Sequence, residues 1–528
     1  MVKSFYRNLI LAILSAVLLT LSFPKYDIEL LAWIGLIPLI LLAGRNSLKN
    51  AFLWCWVSGI LFFLFTIYWL IMTINNYGDV PAWISALILL LLSIYLGLYF
   101  GIFGFLTAYV TKKLRLPLPF FAPVLWVTLE YIRTYMITGF PWASLGYSQY
   151  KFLHIIQLAD ITSVLGISFL IVGVNAAFAE IYSILKNKSS IPFKSSFISI
   201  FFTFLLFFLS LIYGYNKLHT DFSRGRDPIN VAVLQGNIPQ HLKWNREFQR
   251  KTIDIYKRLT DEANVHGANL IIWPETAAPF FFQERTVYQK ELLDLSNKNN
   301  TYILFGSPSY TLSGNSDLRL FNSAYLISPS GEEPSRYDKI HLVPFGEYVP
   351  LSKILFFIEK MVVAIGDFMP GKEYTVLKTP QIKFGVVICF EVIFPDLVRK
   401  FVKNGAEFMT TITNDAWFGN TSAPYQHFTM TVFRAVENRV YFARAANTGI
   451  SGFISPKGEI LAQTPVFTEG YLVNKISPST VKTFYTLYGD VFAYTCIMST
   501  GLILLMSIKL SLKNTHTRKR VPEGRTKI

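Results

Sequence analysis

The stretch Phe384-Gly-Val-Val-Ile-Cys-Phe-Glu391 is a short apolar run that ends at a reactive residue, Cys389. Short continuous apolar runs are typical of buried strands in a layered sheet. Two segments of similar character precede it, Ile271-Ile-Trp-Pro-Glu275 and Tyr337-Asp-Lys-Ile-His-Leu-Val-Pro-Phe-Gly-Glu347. A Glu, a Lys and a Cys therefore stand at or near the ends of predicted strands. Together these residue types can carry out covalent acyl chemistry.

The composition of the remaining chain indicates a membrane protein that carries one polar domain. Hydrophobic residues make up 52% of the 528 residues and charged residues only 16%, whereas about 25% charged is typical of soluble domains. The net charge of +16 comes mainly from short loops beside apolar blocks and from the C-terminal tail. That placement fits the positive-inside rule, so nucleic acid is not an expected partner.

Eight apolar segments are long enough to cross a bilayer as helices, which takes about 20 residues. They cover 6–23, 28–44, 51–74, 84–111, 118–137, 161–185, 195–215 and 484–508. The predicted organisation has seven transmembrane helices in 1–215, a polar domain in 216–483, an eighth helix in 484–510 and a basic tail in 511–528. The first segment is interpreted as a retained helix, because it has no clear small-residue cleavage site.

The distribution of Lys and Arg predicts the orientation. These residues precede the first span, lie between spans two and three, four and five, and six and seven, and follow the eighth. Both termini are therefore expected in the cytoplasm. The polar domain would lie on the outer side of the cytoplasmic membrane, which in a bacterium is the periplasm.

The polar domain has the pattern of an α/β fold. Apolar, β-rich runs predict strands at Ile229–Leu234, Leu270–Trp273, Tyr302–Phe305, Ala324–Ile327, Ile382–Ile388 and Phe408–Thr413. Helical patterns lie between several of them, notably Phe248–Ala263 and Gln426–Ala446. The sequence therefore predicts a layered sheet enzyme.

Cys389 is the only cysteine of the polar domain, so it has no disulfide partner there. As a nucleophile it must lose a proton, because the attacking form is the thiolate and a free thiol has a pKa of about 8.5. Glu275 is the candidate base, held at the end of a strand behind the stiff Pro274. Lys339, helped by the backbone N–H after Cys389, is the candidate donor to the oxyanion that forms on attack.

Two further acids, Glu347 and Glu391, are expected close to this site, where they either position Lys339 or aid proton transfer. Structural hydrogen bonding is an equally good reading of both. The histidines of the domain lack metal-ligand spacing with one another or with Cys389. We therefore expect no metal and no organic cofactor.

The order Glu, Lys, Cys, each in its own short motif, resembles the nitrilase superfamily. That resemblance implies an αββα sandwich and a Cys-bound acyl intermediate. More closely, Leu234–Gln240 with Trp244, the long motif His341–Pro350, and Asn414–Gly419 resemble the apolipoprotein N-acyltransferase family. The layout of seven spans, a domain and one more span resembles that family too.

By residue, the resemblance implies Glu275 as base, Lys339 as oxyanion stabiliser and Cys389 as nucleophile. It further implies that Glu347 is a second essential Glu. Trp244 and Glu391 match positions important for activity. The chain departs from the family at Phe390, where a Tyr is common after the nucleophile.

The resemblance implies a two-step transfer. Cys389 would take an acyl chain from a phospholipid, and the α-amine of an S-diacylglyceryl cysteine of an apolipoprotein would then attack the thioester, which is the last step of lipoprotein maturation. A monomer in the bilayer is expected. One alternative is a membrane-tethered amidase or nitrilase-like hydrolase, in which water resolves the thioester. A transporter with a binding domain is a weaker one.

Lipid substrates require a site that opens toward the bilayer. Apolar stretches at Leu355–Ile365, with Phe356 and Phe357, and at Pro279–Phe282 are candidate lids; ordinary core packing is the alternative.

Glu130 and Arg133 share a helix face and could pair. With Trp142 they are expected to shape a lipid-entry cleft, although a purely structural role is as good a reading. Trp417 is a further candidate lipid contact.

Overall fold

The computed structural model describes residues 2–78, 80–187, 191–223, 226–240, 246–313, 317–348 and 368–518. Trp244, Phe356 and Phe357, and with them the candidate lid Leu355–Ile365, lie outside the described residues. The described chain forms a helical bundle and an α/β domain that pack directly against each other.

The bundle is built from the first eleven helices and the last one. These helices are α1 Val2–Leu21, α2 Ala32–Gly35, α3 Ile37–Arg45, α4 Leu48–Thr66, α5 Trp69–Tyr77, α6 Ala82–Leu114, α7 Leu118–Tyr135, α8 Leu153–Ile156, α9 Ala159–Thr162, α10 Val164–Leu185 and α11 Phe193–Leu218. The remaining helices are α12 Arg246–Asn264, α13 Val287–Asn299, α14 Pro395–Lys403, α15 Ala423–Asn438, α16 Phe484–Tyr488 and α17 Val491–Arg518.

Six helices of the described chain are long and apolar enough to cross a membrane. They are α1, α4, α6, α10, α11 and the Val491–Leu510 part of α17. Within the apolar window of α10, 83% of the residues are buried, against 17% in α11. Helix α10 is therefore the centre of the bundle, and α11 presents an apolar outer face, as in a membrane protein.

The other two predicted spans are helical but interrupted or less apolar. Segment 28–44 is broken into a 3₁₀ turn, α2 and α3, and its helix α3 begins at Ile37. Segment 118–137 forms α7, which contains Pro123 and the buried ionisable residues Glu130 and Arg133. The eighth predicted span starts with the separate short helix α16, which ends where Gly489 takes a positive φ of 70°.

Two six-stranded sheets form the α/β domain. The strands are β1 Ile229–Gln235, β2 Leu270–Ile272, β3 Tyr302–Ser313, β4 Asp317–Ile327, β5 Ser335–Asp338, β6 Val376–Lys378, β7 Lys383–Ile388, β8 Phe408–Thr413, β9 Phe442–Ala446, β10 Gly452–Ile454, β11 Ile460–Gln463 and β12 Gly470–Ile476. The first sheet has the order β12-β1-β2-β3-β4-β5 and the second β11-β10-β9-β8-β7-β6. Strands β1, β2 and β3 are parallel in the first sheet, as are β7, β8 and β9 in the second.

The alternation of side chains along the strands separates two cores. In β1, Val231 and Val233 pack into the same cluster as residues of the second sheet, whereas Ala232 and Leu234 pack with helices α12 and α13. Successive side chains of a strand point to opposite faces. Helices α14 and α15 cover the other face of the second sheet. The domain is therefore a nitrilase-like αββα sandwich.

Two expectations from the sequence are wrong in detail. The helix predicted over Gln426–Ala446 ends at Asn438, because Arg439 adopts a left-handed φ of 53°, and Phe442–Ala446 is strand β9. In the candidate lid Pro279–Phe282, the Phe282 ring is 1% exposed and packs between Phe305 and Tyr325. That ring is a core residue.

Gln426 of α15 joins the domain to the bundle. Its side-chain oxygen accepts hydrogen bonds from the indole N–H groups of Trp69 and Trp142, at 3.2 and 2.8 Å. Its side-chain nitrogen donates to the carbonyls of Pro24 and Thr66, at 3.1 and 3.0 Å. One buried amide thus binds four segments of the bundle to helix α15 of the domain.

Candidate active site

Three strand ends bring the predicted site residues together. Glu275 follows β2, Lys339 directly follows β5, and Cys389 directly follows β7. Strand β5 runs in the same direction as β2, because β3–β4 and β4–β5 are both antiparallel pairs. Lys339 Nζ lies 3.8 Å from Glu275 Oε1. The charges of both residues act on the Cys389 thiol.

Cys389 occupies a sharp turn between β7 and a 3₁₀ helix, Cys389–Ile393. Its φ is 52°, a left-handed conformation that costs a non-glycine residue about 1–2 kcal/mol. Such strain persists where the surrounding structure imposes it, most often at functional sites. Burial raises the pKa of the Cys389 thiol, Glu275 raises it further, and Lys339 opposes them. The resting thiol is therefore protonated and needs a base.

Hydrogen bonds and a close backbone contact hold Glu275 in place. Its Oε1 accepts from Asn322 Nδ2 at 2.8 Å, and its Oε2 accepts from the backbone N–H of Asn414 at 3.0 Å. A Cβ on Gly306 would lie 2.7 Å from the Glu275 Cα, so only glycine fits there. An ionised carboxylate that accepts hydrogen bonds can still take up a proton, so these contacts are compatible with Glu275 acting as a base.

Lys339 is 1% exposed and is clamped by Glu347. Its Nζ lies 3.0 Å from Glu347 Oε1 and 2.9 Å from Oε2. Burial lowers the pKa of Lys339, but Glu347 and Glu275 outweigh it, so its pKa lies above the ordinary value. The ammonium is therefore a permanent positive charge beside the thiol.

Asn322 of β4 was not found from the sequence. Its Nδ2 donates to Glu275 at 2.8 Å and to Glu347 at 2.8 Å, so one amide fixes the spacing of the two carboxylates. In the sequence, Asn322 stands in a stretch of mixed polar and apolar residues, Asp317-Leu-Arg-Leu-Phe-Asn-Ser-Ala-Tyr-Leu-Ile327, where one more polar residue carries no distinctive signal. Such a residue is as often exposed to solvent, so the pattern does not reveal that Asn322 bonds to Glu275 and Glu347.

Glu391 is fully buried and ties the cysteine turn to the lysine loop. It accepts hydrogen bonds from the N–H groups of Ile388, Ile340 and His341, at 2.7, 2.7 and 3.0 Å. The hydroxyl of Tyr337 donates to both of its oxygens, at 2.8 and 3.0 Å. Burial raises the pKa of Glu391 to about 7, against the effect of these donors. Because these neighbours only donate, they fit the ionised carboxylate, and Glu391 acts as a structural cross-link.

A second charged cluster lies behind Cys389. His427 Nε2 lies 3.2 Å from the carbonyl oxygen of Cys389, and His427 Nδ1 lies 3.0 Å from both Asp415 Oδ1 and Arg444 Nη2. Arg444 Nη2 also donates to Asp415 Oδ2 at 2.7 Å. All three side chains are buried. Within the described residues, no group of three His, Cys, Asp or Glu side chains could hold a metal ion.

Comparison with known proteins extends over both halves of the chain. A family model for the apolipoprotein N-acyltransferase N-terminal domain matches residues 15–177, and one for carbon-nitrogen hydrolase matches residues 230–485. An apolipoprotein N-acyltransferase of Geobacter metallireducens is 42% identical over 95% of this chain and 96% of its own length. The chain belongs to the apolipoprotein N-acyltransferase family.

More distant members of the apolipoprotein N-acyltransferase family align over nearly the same length. The relative from Pasteurella multocida is 33% identical over 94% of both chains, and the one from Thermotoga maritima is 30% identical over 93% of this chain and 92% of its own. An amidase from Nesterenkonia sp. of known structure is 20% identical, with a TM-score of 0.37, over 48% of this chain and 92% of its own.

Arg133 and Trp142 lie where the bundle meets the α/β domain, since Arg133 bonds to the carbonyl of Trp142 and the indole of Trp142 bonds to Gln426 of α15. Arg133 donates to the carbonyl of Trp142 at 2.9 Å and to Ser144 Oγ at 3.2 Å, and Glu130 accepts from the Leu145 N–H at 2.8 Å. The two charges thus bind the loop after α7. A cavity of about 20 Å³ lies beside them, which has room for about one water and not for an acyl chain.

The other candidate lipid contacts have different exposures. Trp142 is 1% exposed, whereas Trp417 is half-buried and packs edge-on against Tyr77 of α5, with ring centroids 4.9 Å apart. Phe390 is half-buried beside the ring of His341, at 5.9 Å. Their roles in binding lipid stay predictions.

Proposed function

We propose that this protein transfers an acyl chain from a phospholipid to the N-terminal S-diacylglyceryl cysteine of apolipoproteins, through a thioester on Cys389. The observation that carries the proposal is the buried thiol of Cys389, flanked by the charges of Glu275 and Lys339. The named relatives, which are similar along almost the whole chain, support it.

In the first step, Glu275 takes the proton of the Cys389 thiol as the sulfur attacks the ester carbonyl of the phospholipid. The base is needed during attack, because burial raises the pKa of the thiol. The oxyanion receives hydrogen bonds from Lys339 and from the backbone N–H of Phe390. The carbon–oxygen bond to glycerol then breaks, and the alkoxide takes the proton back from Glu275 and leaves as a lysophospholipid.

In the second step, the neutral α-amine of the diacylglyceryl cysteine attacks the thioester carbonyl. Glu275 takes a proton from the amine nitrogen, and the same donors stabilise the second oxyanion. The carbon–sulfur bond breaks, and Glu275 returns the proton to the departing sulfur of Cys389. The products are an amide and the original enzyme, so no cofactor takes part.

The charge of the loops supports an orientation with both termini in the cytoplasm and the α/β domain in the periplasm of a bacterium. Protease added to spheroplasts should then cleave within 216–483 and leave the tail 511–528 intact. Cleavage of the tail in intact spheroplasts would overturn this orientation. We expect a monomer in the bilayer.

Intact-protein mass spectrometry tests the reaction. Wild type incubated with a phospholipid of defined sn-1 chain should gain one acyl mass that hydroxylamine removes, and Cys389→Ser should not. A diacylated lipopeptide should then discharge the adduct and become an amide. Discharge by water at the same rate, without amide, would instead support a membrane-tethered hydrolase.

A further inference from the structure

The cluster of Asp415, His427 and Arg444 contacts the backbone carbonyl of Cys389 through His427, and the charge of Asp415 adds to the raised pKa of the Cys389 thiol. The carbonyl oxygen of Cys389 has no proton to give, so His427 Nε2, at 3.2 Å, must carry the proton of that hydrogen bond. His427 Nε2 is therefore the donor to the Cys389 carbonyl, whether the imidazole is neutral or charged.

The other ring nitrogen determines whether the imidazole is neutral. Burial and the charge of Arg444 lower the pKa of His427, so the ring is neutral and Nδ1 is an acceptor. Arg444 Nη2, at 3.0 Å, donates to it. Asp415 Oδ1 lies equally close to Nδ1 and also accepts from the Thr413 hydroxyl at 3.0 Å, while Asp415 Oδ2 accepts from Arg444 at 2.7 Å. The Cys389 carbonyl fixes the tautomer of the neutral ring, because it requires the proton on Nε2.

The peptide plane after Cys389 transmits this contact to the reaction. A trans peptide is planar, so its C=O and the N–H of the next residue point in opposite directions. A hydrogen bond that holds the Cys389 carbonyl on the His427 side therefore holds the Phe390 N–H on the opposite side. The left-handed φ of 52° at Cys389 is sparsely populated, so this peptide depends on outside support.

The imidazole itself is immobilised by aromatic rings. Trp142 from the bundle stacks on His427 with centroids 5.7 Å apart, and Phe418 packs edge-on at 6.2 Å. The ring nitrogens contact Cys389, Asp415 and Arg444, as described above. Both ring nitrogens are occupied by these protein contacts, so the imidazole has no nitrogen left to contact a substrate.

We propose that His427 is a positioning residue, which aims the Phe390 N–H at the oxyanion by holding the Cys389 carbonyl. The role rests on the proposed acyl transfer but concerns only oxyanion stabilisation. His427 therefore promotes acylation of Cys389 and has little effect on reactions of the thiol that form no oxyanion.

Two amide variants test this role at the same position. In His427→Gln the amide nitrogen reaches the place of Nε2, and its oxygen can accept from Arg444. In His427→Asn the shorter side chain can keep the Arg444 contact but cannot reach the Cys389 carbonyl. The control is His266→Asn, at an exposed histidine that contacts Tyr471 at the edge of the first sheet.

Two reactions of Cys389 are compared in the full-length protein. Acylation by p-nitrophenyl acetate forms an oxyanion, whereas alkylation by iodoacetamide does not, and peptide mapping assigns both to Cys389 rather than to Cys55 or Cys496. We expect His427→Asn to slow acylation about 10–100-fold, since complete loss of an oxyanion donor costs 10²–10³-fold. Alkylation should stay within about threefold, and His427→Gln should recover most of the acylation.

The outcomes separate the proposals. A parallel fall of acylation and alkylation would show that His427 holds the thiol or the fold, and it would overturn the positioning role. So would unchanged acylation in His427→Asn, or no recovery in a folded His427→Gln. If wild type reacts with the ester but gains no acyl mass from phospholipid, the proposed donor fails while the role of His427 stands. If it reacts with neither, both fail.

Discussion

Cys389 lies between two buried charged clusters that are built differently. On one side, two carboxylates share one cation: Glu347 contacts Lys339 at 2.9 Å, whereas Glu275 lies 3.8 Å away. On the other side, Asp415 and Arg444 form a one-to-one pair around a neutral His427. In the first cluster the cation therefore lies closer to Glu347 than to Glu275, and in the second the cation and the carboxylate face each other directly.

This difference assigns the roles of the two clusters. Glu347 lies within hydrogen-bond distance of the Lys339 ammonium and suits its counter-ion, whereas Glu275 lies farther from it and suits the base. Asp415 and Arg444 pair with each other, so their cluster suits a structural role in which His427 holds the backbone of Cys389. Replacing Glu275 by its amide should therefore reduce activity with little loss of stability. Variants of the second cluster should reduce stability.

The largest effect is expected for Glu275→Gln. The amide keeps the size of the side chain but cannot accept the thiol proton, so acylation should fall about 10³-fold. Single-turnover mass spectrometry of the thioester measures this rate, with Glu284→Gln, at an exposed position of the same domain, as the control. Wild-type rates in a folded Glu275→Gln protein would remove Glu275 as the base.

Lys339→Met should reduce acylation about 10²-fold, because a fixed positive charge no longer faces the oxyanion. Lys339→Arg should not restore the rate, since a planar guanidinium does not fit the place of a compact ammonium. Lys378→Met, at an exposed position, is the control. Because Lys339→Met leaves two buried carboxylates without a cation, its folding must be checked by thermal unfolding before rates are compared.

Asp415→Asn should lower the free energy of unfolding by about 2 kcal/mol at neutral pH, because Arg444 loses a charged partner. Burial raises the pKa of Asp415, but the opposing effects, of which the charge of Arg444 is the largest, lower the pKa below its ordinary value. Its contribution to stability is therefore present above about pH 4 and is lost as the pH falls further. Thermal unfolding at pH 7 and near pH 3 should show the difference from wild type shrinking.

Tyr337→Phe should have the smallest effect, about 1.5 kcal/mol of stability. The ring still packs on Phe401, and Glu391 keeps its three backbone donors. Acylation by the folded variant should stay within about threefold of wild type. A larger loss of rate without loss of stability would mean that Glu391 takes part in proton transfer rather than in cross-linking.

Much of the fold could be predicted because it rests on local patterns. Buried strands such as β2 and β7 are short, mostly apolar runs, and long apolar blocks become helices such as α6 and α10. The helix predicted across Arg439 was wrong because the buried guanidinium pairs with Asp160 at 2.8 Å, a contact 279 residues away in the chain. A period of 3.6 residues does not reveal such a contact.

The three residue types at strand ends could be recognised in the sequence because each motif is short and chemically distinctive. Packing was needed to bring in Asn322, His427 and Arg444, which join strands and helices far apart in the chain. In the sequence each is an ordinary polar residue. Burying a polar side chain without a hydrogen-bond partner costs free energy, and only the folded structure shows which partners these residues have. The sequence thus indicates the catalytic chemistry, whereas only the packing of the interior determines which side chains hold the catalytic residues in place.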